Sequence, residues 1–327
     1  MPGVYDESIN VQVAYYMQIA GLGELPSDTI IPKLNCDAKW LGDESNNNAT
    51  CNFWRGVENL NVQEDVMWAV SQATFMRRMK LDSSIYLHDD FGWASGGFIA
   101  DTVIEGLIES GTQQQWLSRN SSWGTWLGQT WNMVFVGIDE GKAPTGTWPG
   151  TKYTTVEKTP IIKEKPYLVY KEYEGFGVYV PDLSKNSSGV SWLDGEKGEF
   201  LSISNFHVAK ANQDNSKTMN QALKEGKNLI LTPGIYEIDE PLLVENSNTI
   251  VLGMGLATLI PTKGNLCIKT EDVDGVIIAG ILFDAGPIKS ETLLEVGAKG
   301  SKAAHKENPI LLSDVFFRVG GAASYPA

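Results

Sequence analysis

Apolar residues along this chain come in short, regularly interrupted runs. Across residues 93–137 they fall at Phe98 and Ile99, Val103 and Ile104, Leu107 and Ile108, Trp116 and Leu117, and then from Met133 to Val136, with Gly, Ser and Asn between them. Brief apolar runs bounded by turn residues predict short strands. None has the length or spacing of a helix. Aligning the aromatic that opens each turn gives Phe53, Phe75, Phe98 and Trp116, at nearly even intervals. A period near twenty marks a solenoid. The pattern therefore predicts a wound parallel sheet whose coils stack about 4.8 Å apart, so that equivalent positions form columns along its axis.

Two polar columns follow from that alignment. Three residues before Phe75, Phe98 and Trp116 stand Gln72, Ser95 and Gln113, and three residues after them stand Arg78, Asp101 and Arg119. The second set alternates in charge, as a stacked surface would to satisfy itself, which reads Asp101 as structural. The first set is neutral. It is either an amide stack closing hydrogen bonds between coils or a place that fixes a water or a sugar hydroxyl, because amides and hydroxyls both donate and accept.

The same reading divides the whole chain. Residues 1–48 read as an N-terminal extension, with a short helix over 9–19 and a Pro/Asn-rich loop. Residues 49–185 read as a first β-helix segment that carries a Pro/Gly/Thr-rich loop and a hairpin over 167–180, turning at Glu174 and Gly175. Residues 186–215, with SKNSSG and DGEKGE, read as a linker. Residues 216–327 read as the start of a second β-helix. It opens with a short helix that has Ser216 as N-cap and Gly226 just past its end. Its apolar runs place Ile230, Ile250 and Ile268 at a spacing close to that of the first segment. The sequence stops inside a repeat, and AASYPA is too short for a polar cap, so this second segment is expected to be truncated.

Composition narrows the partners. Asp and Glu outnumber Lys and Arg 40 to 26, for a net charge of −14. That balance disfavours nucleic acid, whose affinity rests on cationic side chains, and favours a neutral substrate. No apolar run is long enough for a membrane span, and the start lacks the basic and apolar regions of an export signal. Cys36 and Cys51 bracket a polar loop and could close a disulfide, leaving Cys267 over. Sequons occur at Asn48, Asn120 and Asn186. The expectation is a chain without its own signal peptide, from a secreted, monomeric parent. Three Cys and three His at irregular spacing predict no metal site and no cofactor. Nine of the ten Trp precede residue 150. Trp68 and Trp116 read as core, whereas Trp93, Trp123, Trp126 and Trp148 lie at probable corners and read either as packing or as plates for the CH face of a sugar.

The segment NLILTPGIYEIDEPLLV, with a helix before it and IVLGMG after it, resembles the opening coil of pectate-lyase-like (pectin-lyase-fold) right-handed β-helices. The fold class expected is all-β, a right-handed parallel β-helix in two tandem segments. Together with GILFDAG, LLEVG and DVFFRVGG, the layout resembles family 55 glycoside hydrolases, the exo-acting β-1,3-glucanases. Chains of this appearance also carry labels such as adenylyl cyclase or coagulation factor 5/8 type domain, but no Walker A loop or cyclase-like aspartate pair supports those here.

The resemblance implies an inverting hydrolase of a polysaccharide, β-1,3-glucan. Such an enzyme needs a protonated carboxyl and an activated water about 6.5–9.5 Å apart. In this family the first β-helix positions the water, which implies that role for Gln72, Ser95 and Gln113. The second supplies the acid, on a coil expected beyond Ala327. Within the chain the acid candidates are Asp89 and Asp90, adjacent carboxylates beside His88 and Trp93, and then Glu58. Asp284 reads as a turn former, and Glu237, Asp239 and Glu240 as a solvated edge. Two rival readings are a non-catalytic glycan-binding or structural β-helix and a polysaccharide lyase. A lyase would need a calcium-binding carboxylate cluster and would face uronates with a repelling charge.

Overall fold

The computed structural model describes residues 1–38, 47–195, 197–297 and 299–320. The chain divides into two compact units, Met1–Phe200 and Leu201–Ala327, each a parallel β-solenoid.

In the first unit one sheet has seven strands, running from Met17–Ala20 through Arg55–Glu58, Thr74–Arg77, Phe98–Ala100, Gln115–Arg119 and Asn132–Val136 to Tyr153–Val156. Every pairing in it is parallel. A second parallel sheet stacks Gly3–Val4, Thr29–Ile31, Asn61–Val62, Lys80–Leu81, Val103–Glu109 and Ser122–Leu127. The pleat sends alternate residues inward. Val57, Met76, Ile99, Ser118 and Phe135 stand opposite one another, all fully buried. Ala38, Ala49, Ala69 and Ala94 cluster at a tight corner where larger side chains would hold the coils apart.

Residues 1–48 are not an extension. Gly3–Val4 pairs with Thr29–Ile31, Asn10–Gln12 with Lys33–Asn35 and Met17–Ala20 with Arg55–Glu58, so coiling begins at the start of the chain. The helix expected over 9–19 is replaced by strands. Val11 and Val13 alternate with polar neighbours at period two, and the left-handed Tyr16 (φ 55°) breaks the run before Met17. Nor do Cys36 and Cys51 form a disulfide. Cys36 is buried beside the Arg55 guanidinium (3.1 Å), its pKa pushed up to about 11 by burial, while Cys51 is exposed.

A column of left-handed residues turns each coil from the first sheet into the second: Asn59 (φ 55°), Arg78 (54°), Asp101 (51°), Asn120 (44°) and Gly137 (60°). Asn and Asp tolerate this conformation better than most residues because their side chains bond locally. Here those side chains anchor segments laid over the coils. The Asn59 amide donates to the carbonyls of Gly21 and Gly23 (3.1 and 2.7 Å). Asp101 accepts from the Ser191 N–H and hydroxyl (2.6 and 2.8 Å). The Asn120 amide donates to Ser187 Oγ (3.1 Å), and its carbonyl accepts from the Thr159 hydroxyl (2.6 Å). Asn120 is thus a buried anchor and not an open glycosylation site.

The overlying segment, residues 159–192, includes the expected hairpin. Tyr167–Lys171 and Gly175–Pro181 pair antiparallel, with Gly175 (φ 77°) at the turn. Charged groups pin this segment to the first sheet. Lys165 Nζ lies 2.5 Å from Glu58 Oε2, and Glu164 accepts from Arg119 (Nη2 to Oε2 2.7 Å) with Arg77 Nη1 at 3.5 Å. The Arg77 guanidinium lies over the Phe98 ring at 5.0 Å. The expected column of Arg78, Asp101 and Arg119 is not completed, because Arg119 stands one position earlier on its coil and serves Glu164 instead.

The second unit starts before residue 216. Phe206–Ala209 pairs in parallel with Asn228–Leu231, followed by Ile250–Pro261, Ile277–Asp284 and Leu311–Ser313. Helix Ser216–Lys224 is capped by Asn215, one residue earlier than expected, through a reciprocal box with Thr218. It buries Met219, Ala222 and Leu223 against the solenoid core. The repeat is longer than the apolar runs imply. Leu242, Ile268 and Leu294 share one evenly spaced column, and Ile230 stands opposite Leu252, not Ile250. A bulge at 252–257 accounts for extra length. There Gly253 and Gly280 approach so closely that a Cβ on Gly253 would lie 2.4 Å from the Gly280 carbonyl oxygen. At this unit's surface His305 bonds both Asp274 (Nδ1, 2.5 Å) and Asp272 (Nε2, 2.8 Å).

Candidate functional site

Register locates the polar column. Ala94 bridges Gln113, the Gln114 N–H donates to the Ala94 carbonyl (3.0 Å), and Phe98 stands opposite Leu117. The residue level with Ser95 is therefore Gln114. Trp116, the aromatic that the sequence alignment selects, is one position early. Gln113, level with the buried Ala94 just before the strand, is itself fully buried, its amide donating to the carbonyls of Val70 (3.1 Å) and Leu87 (3.2 Å). It ties neighbouring coils together and is closed off from solvent.

Gln72, Ser95 and Gln114 reach solvent, Gln72 exposed and the other two half-buried. The Ser95 N–H donates to Ser71 Oγ (3.2 Å), which fixes its backbone. Among the described residues, the side chains of these three make no hydrogen bond to one another. The amide-stack reading has no support in this geometry, and the column is open to a ligand.

The carboxylates separate. Asp89 is buried and accepts the Ala38 N–H (3.0 Å), while Asp90, with φ 41°, is exposed and reaches the Asn47 amide (3.4 Å). The two are engaged by different partners. Neighbouring His88 accepts the Phe91 N–H at Nδ1 (2.9 Å), which places its proton on Nε2. Burial lowers its pKa against the raising influence of Glu109, Asp89 and Asp90. Glu58 is consumed by Lys165 and by the Gln18 amide (2.6 Å), and is structural. Asp284 is buried at a strand end with Arg318 bonding both its oxygens (3.1 and 2.5 Å), an ion pair and not merely a turn former. Glu237, Asp239 and Glu240 line an open groove, and Asp239 pairs with Lys263 at 3.0 Å. Among the described residues no three His, Cys, Asp or Glu are grouped to hold a metal.

Of the four tryptophans read as sugar-stacking plates, Trp93 (55% exposed) and Trp148 (44%) present their rings to solvent. Trp123 and Trp126 do not. They stand opposite the buried Ile104 and Ile108, pack on Phe135 with ring centroids 5.9 and 4.8 Å away, and donate to the carbonyls of Lys142 and Gly128. Adjacent glycines suggest corners in the sequence, but both rings belong to one continuous strand, Ser122–Leu127. Trp131, which the sequence pattern does not single out, is 50% exposed. The strand that follows it, Asn132–Val136, is the signal that could have found it.

Comparison with known proteins agrees with this architecture. Residues 206–326 match the family model described as the LAM55 pectate lyase-like domain. The chain is 46% identical to a protein named exo-beta-1,3-glucanase from Streptomyces sp. (strain SirexAA-E / ActE), over 98% of this chain and 53% of that protein. The solved structure of sacteLam55A from Streptomyces sp. SirexAA-E superposes with a TM-score of 0.93 at 44% identity, covering 98% of this chain and 58% of that one. A glutamate-to-alanine variant of the same protein, in complex with glucose, superposes with a TM-score of 0.91 at 43% identity. The chain thus spans little more than half the length of these relatives. Residues 206–326 are similar to the LAM55 pectate lyase-like domain, and the chain shares the parallel β-helix fold of sacteLam55A over nearly its whole length.

Proposed function

We propose that this chain provides the water-positioning and sugar-binding face of an inverting glycoside hydrolase acting on β-1,3-glucan. The observation that carries this reading is the open column Gln72, Ser95 and Gln114, held on rigid coils with no hydrogen bond among its side chains. The name of the Streptomyces relative supplies the substrate class. Neutral amides and a hydroxyl can orient a water through its hydrogens and lone pairs. They cannot by themselves protonate a leaving glycosidic oxygen, so inversion also requires a carboxylic acid across the sugar. Glu58 and Asp89 are already engaged, which favours, as a second reading, glycan binding by this chain without turnover.

Incubation with laminarin, followed by chromatography of the products and by calorimetry, tests both readings. Release of glucose or short oligosaccharides supports hydrolysis. In protein that shows it, Gln72→Ala or Ser95→Ala should lower turnover by about 10²-fold or more. Unchanged kinetics would remove the column from the reaction. Binding without product assigns the chain to the second reading, and neither binding nor product sinks both.

A further inference from the structure

The column that carries Gln72, Ser95 and Gln114 does not end with Gln114. Gln115 stands opposite Asn132, and the Asn132 N–H donates to the Gln114 carbonyl at 3.0 Å. The next residue outward in the same column is therefore Trp131. We infer that Trp131 is a stacking platform for a sugar ring, and that the polar column and this indole together take an oligosaccharide lying along the solenoid axis.

Three features of the chain support this assignment. The ring is half exposed, at 50%, although its backbone is locked. Met133 and Phe135 just after it are fully buried, and the Thr130 hydroxyl just before it donates to the Gly111 carbonyl at 2.7 Å. A fixed backbone under an exposed indole loses little entropy on binding. Next, the neighbours in the column are uncharged hydrogen-bonding groups, which match sugar hydroxyls, while the indole face matches the CH face of a pyranose. Finally, three coil steps separate Gln72 from Trp131, a span of about 14 Å at the normal spacing between paired strands. A single sugar ring cannot reach both ends. Two or more linked sugars can.

This inference rests on the proposed action on β-1,3-glucan, and the experiment separates the two. Binding of glucose and of a β-1,3-linked glucose trisaccharide is measured by calorimetry on the 327-residue chain, on Trp131→Ala and on Trp131→Tyr. Trp131→Ala should weaken trisaccharide binding about tenfold, a loss of the size expected for one aromatic contact, and leave glucose binding within about twofold. Trp131→Tyr, which keeps an aromatic face, should recover most of the loss. Equal trisaccharide affinity in Trp131→Ala and the unsubstituted chain would overturn the platform and leave the glucan reading standing. An unsubstituted chain that binds no trisaccharide would overturn the glucan reading and the platform with it. Thermal melts establish that each variant is folded, and Trp131→Gln, which retains a long side chain, replaces the alanine variant if that one is not.

Discussion

Glu164 shows how much of this protein's stability is held by single buried charges. Burial alone would raise its pKa, but Arg119, with Arg77 and Arg78, outweighs burial and holds it below the ordinary carboxylate value. Removing one partner of such a group strands the others in a medium that solvates them poorly. Glu164→Gln is therefore expected to destabilise the first unit by about 3–5 kcal/mol, read from denaturant unfolding; a loss below about 1 kcal/mol would mean that water already screens the cluster. Asp101 behaves in the opposite sense. Burial first, then repulsion from Glu164, raises its pKa to about 6 against the pull of Arg78 and of its bonds from Ser191. The folded state therefore binds a proton more tightly than the unfolded chain does, and on this account stability should decline as pH rises from about 4 to 6. Glu164 contributes the reverse slope at lower pH, its stabilisation being lost as the carboxylate is protonated. Asp101→Asn should flatten the decline between pH 4 and 6 in a series of melting curves. An unchanged slope would show that another group sets it.

At the scale of elements, those whose signals are local are legible in the sequence. The hairpin over 167–180 and the helix near Ser216 can be read because a turn glycine lies inside the one and a polar cap and a terminal glycine flank the other. Columns are legible only in outline. Which residue faces outward depends on how many residues each coil spends at its corners, and the coil from Val57 to Met76 is shorter than the one from Met76 to Ile99. Aligning aromatics cannot recover that count, so it selects the buried Gln113 in place of its neighbour Gln114; for Trp123 and Trp126 the neighbouring glycines leave packing and sugar plate both open. The corner loop of the second unit carries a testable device of its own. Both nitrogens of His305 face carboxylates, which raise its pKa. The charged form donates two bonds, one to Asp272 and one to Asp274. That contribution is fully present below the histidine's unfolded pKa and disappears as pH rises through the higher folded value. After correction for intrinsic rates, amide exchange at Asn308 and Gly275, which are hydrogen-bonded in this loop, should accelerate as pH rises through that value. His305→Ala should abolish the dependence; protection that stays constant with pH in the unsubstituted protein would show that the clasp does not hold the loop.

For the whole molecule, the architecture is readable because a solenoid repeats its grammar in every coil, and repetition tolerates small errors of register. The candidate site is less so. A column draws one side chain from each of several coils, and its identity survives only if every register is right. The site's chemistry is not marked by converging charges, and the groove lined by Glu237, Asp239 and Glu240 includes none of the column's residues. What marks it is a line of neutral groups open to solvent on a rigid sheet, in a chain that spans about half the length of its relatives.

The segment over 159–192 has one more consequence, a mechanical one. Hydrogen bonds between coils run along the solenoid axis, so tension applied along that axis would part the coils one interface at a time. This segment is fastened by Tyr170 to Leu22, by Lys165 to Glu58, by Glu164 to Arg77 and Arg119, by Ser191 to Asp101 and by Gly189 to Gly137. It crosses the coil interfaces as a stay crosses the joints of a mast, so a pull on the first unit is shared among many interfaces at once, and no single one between Leu22 and Gly137 can open without loading the rest.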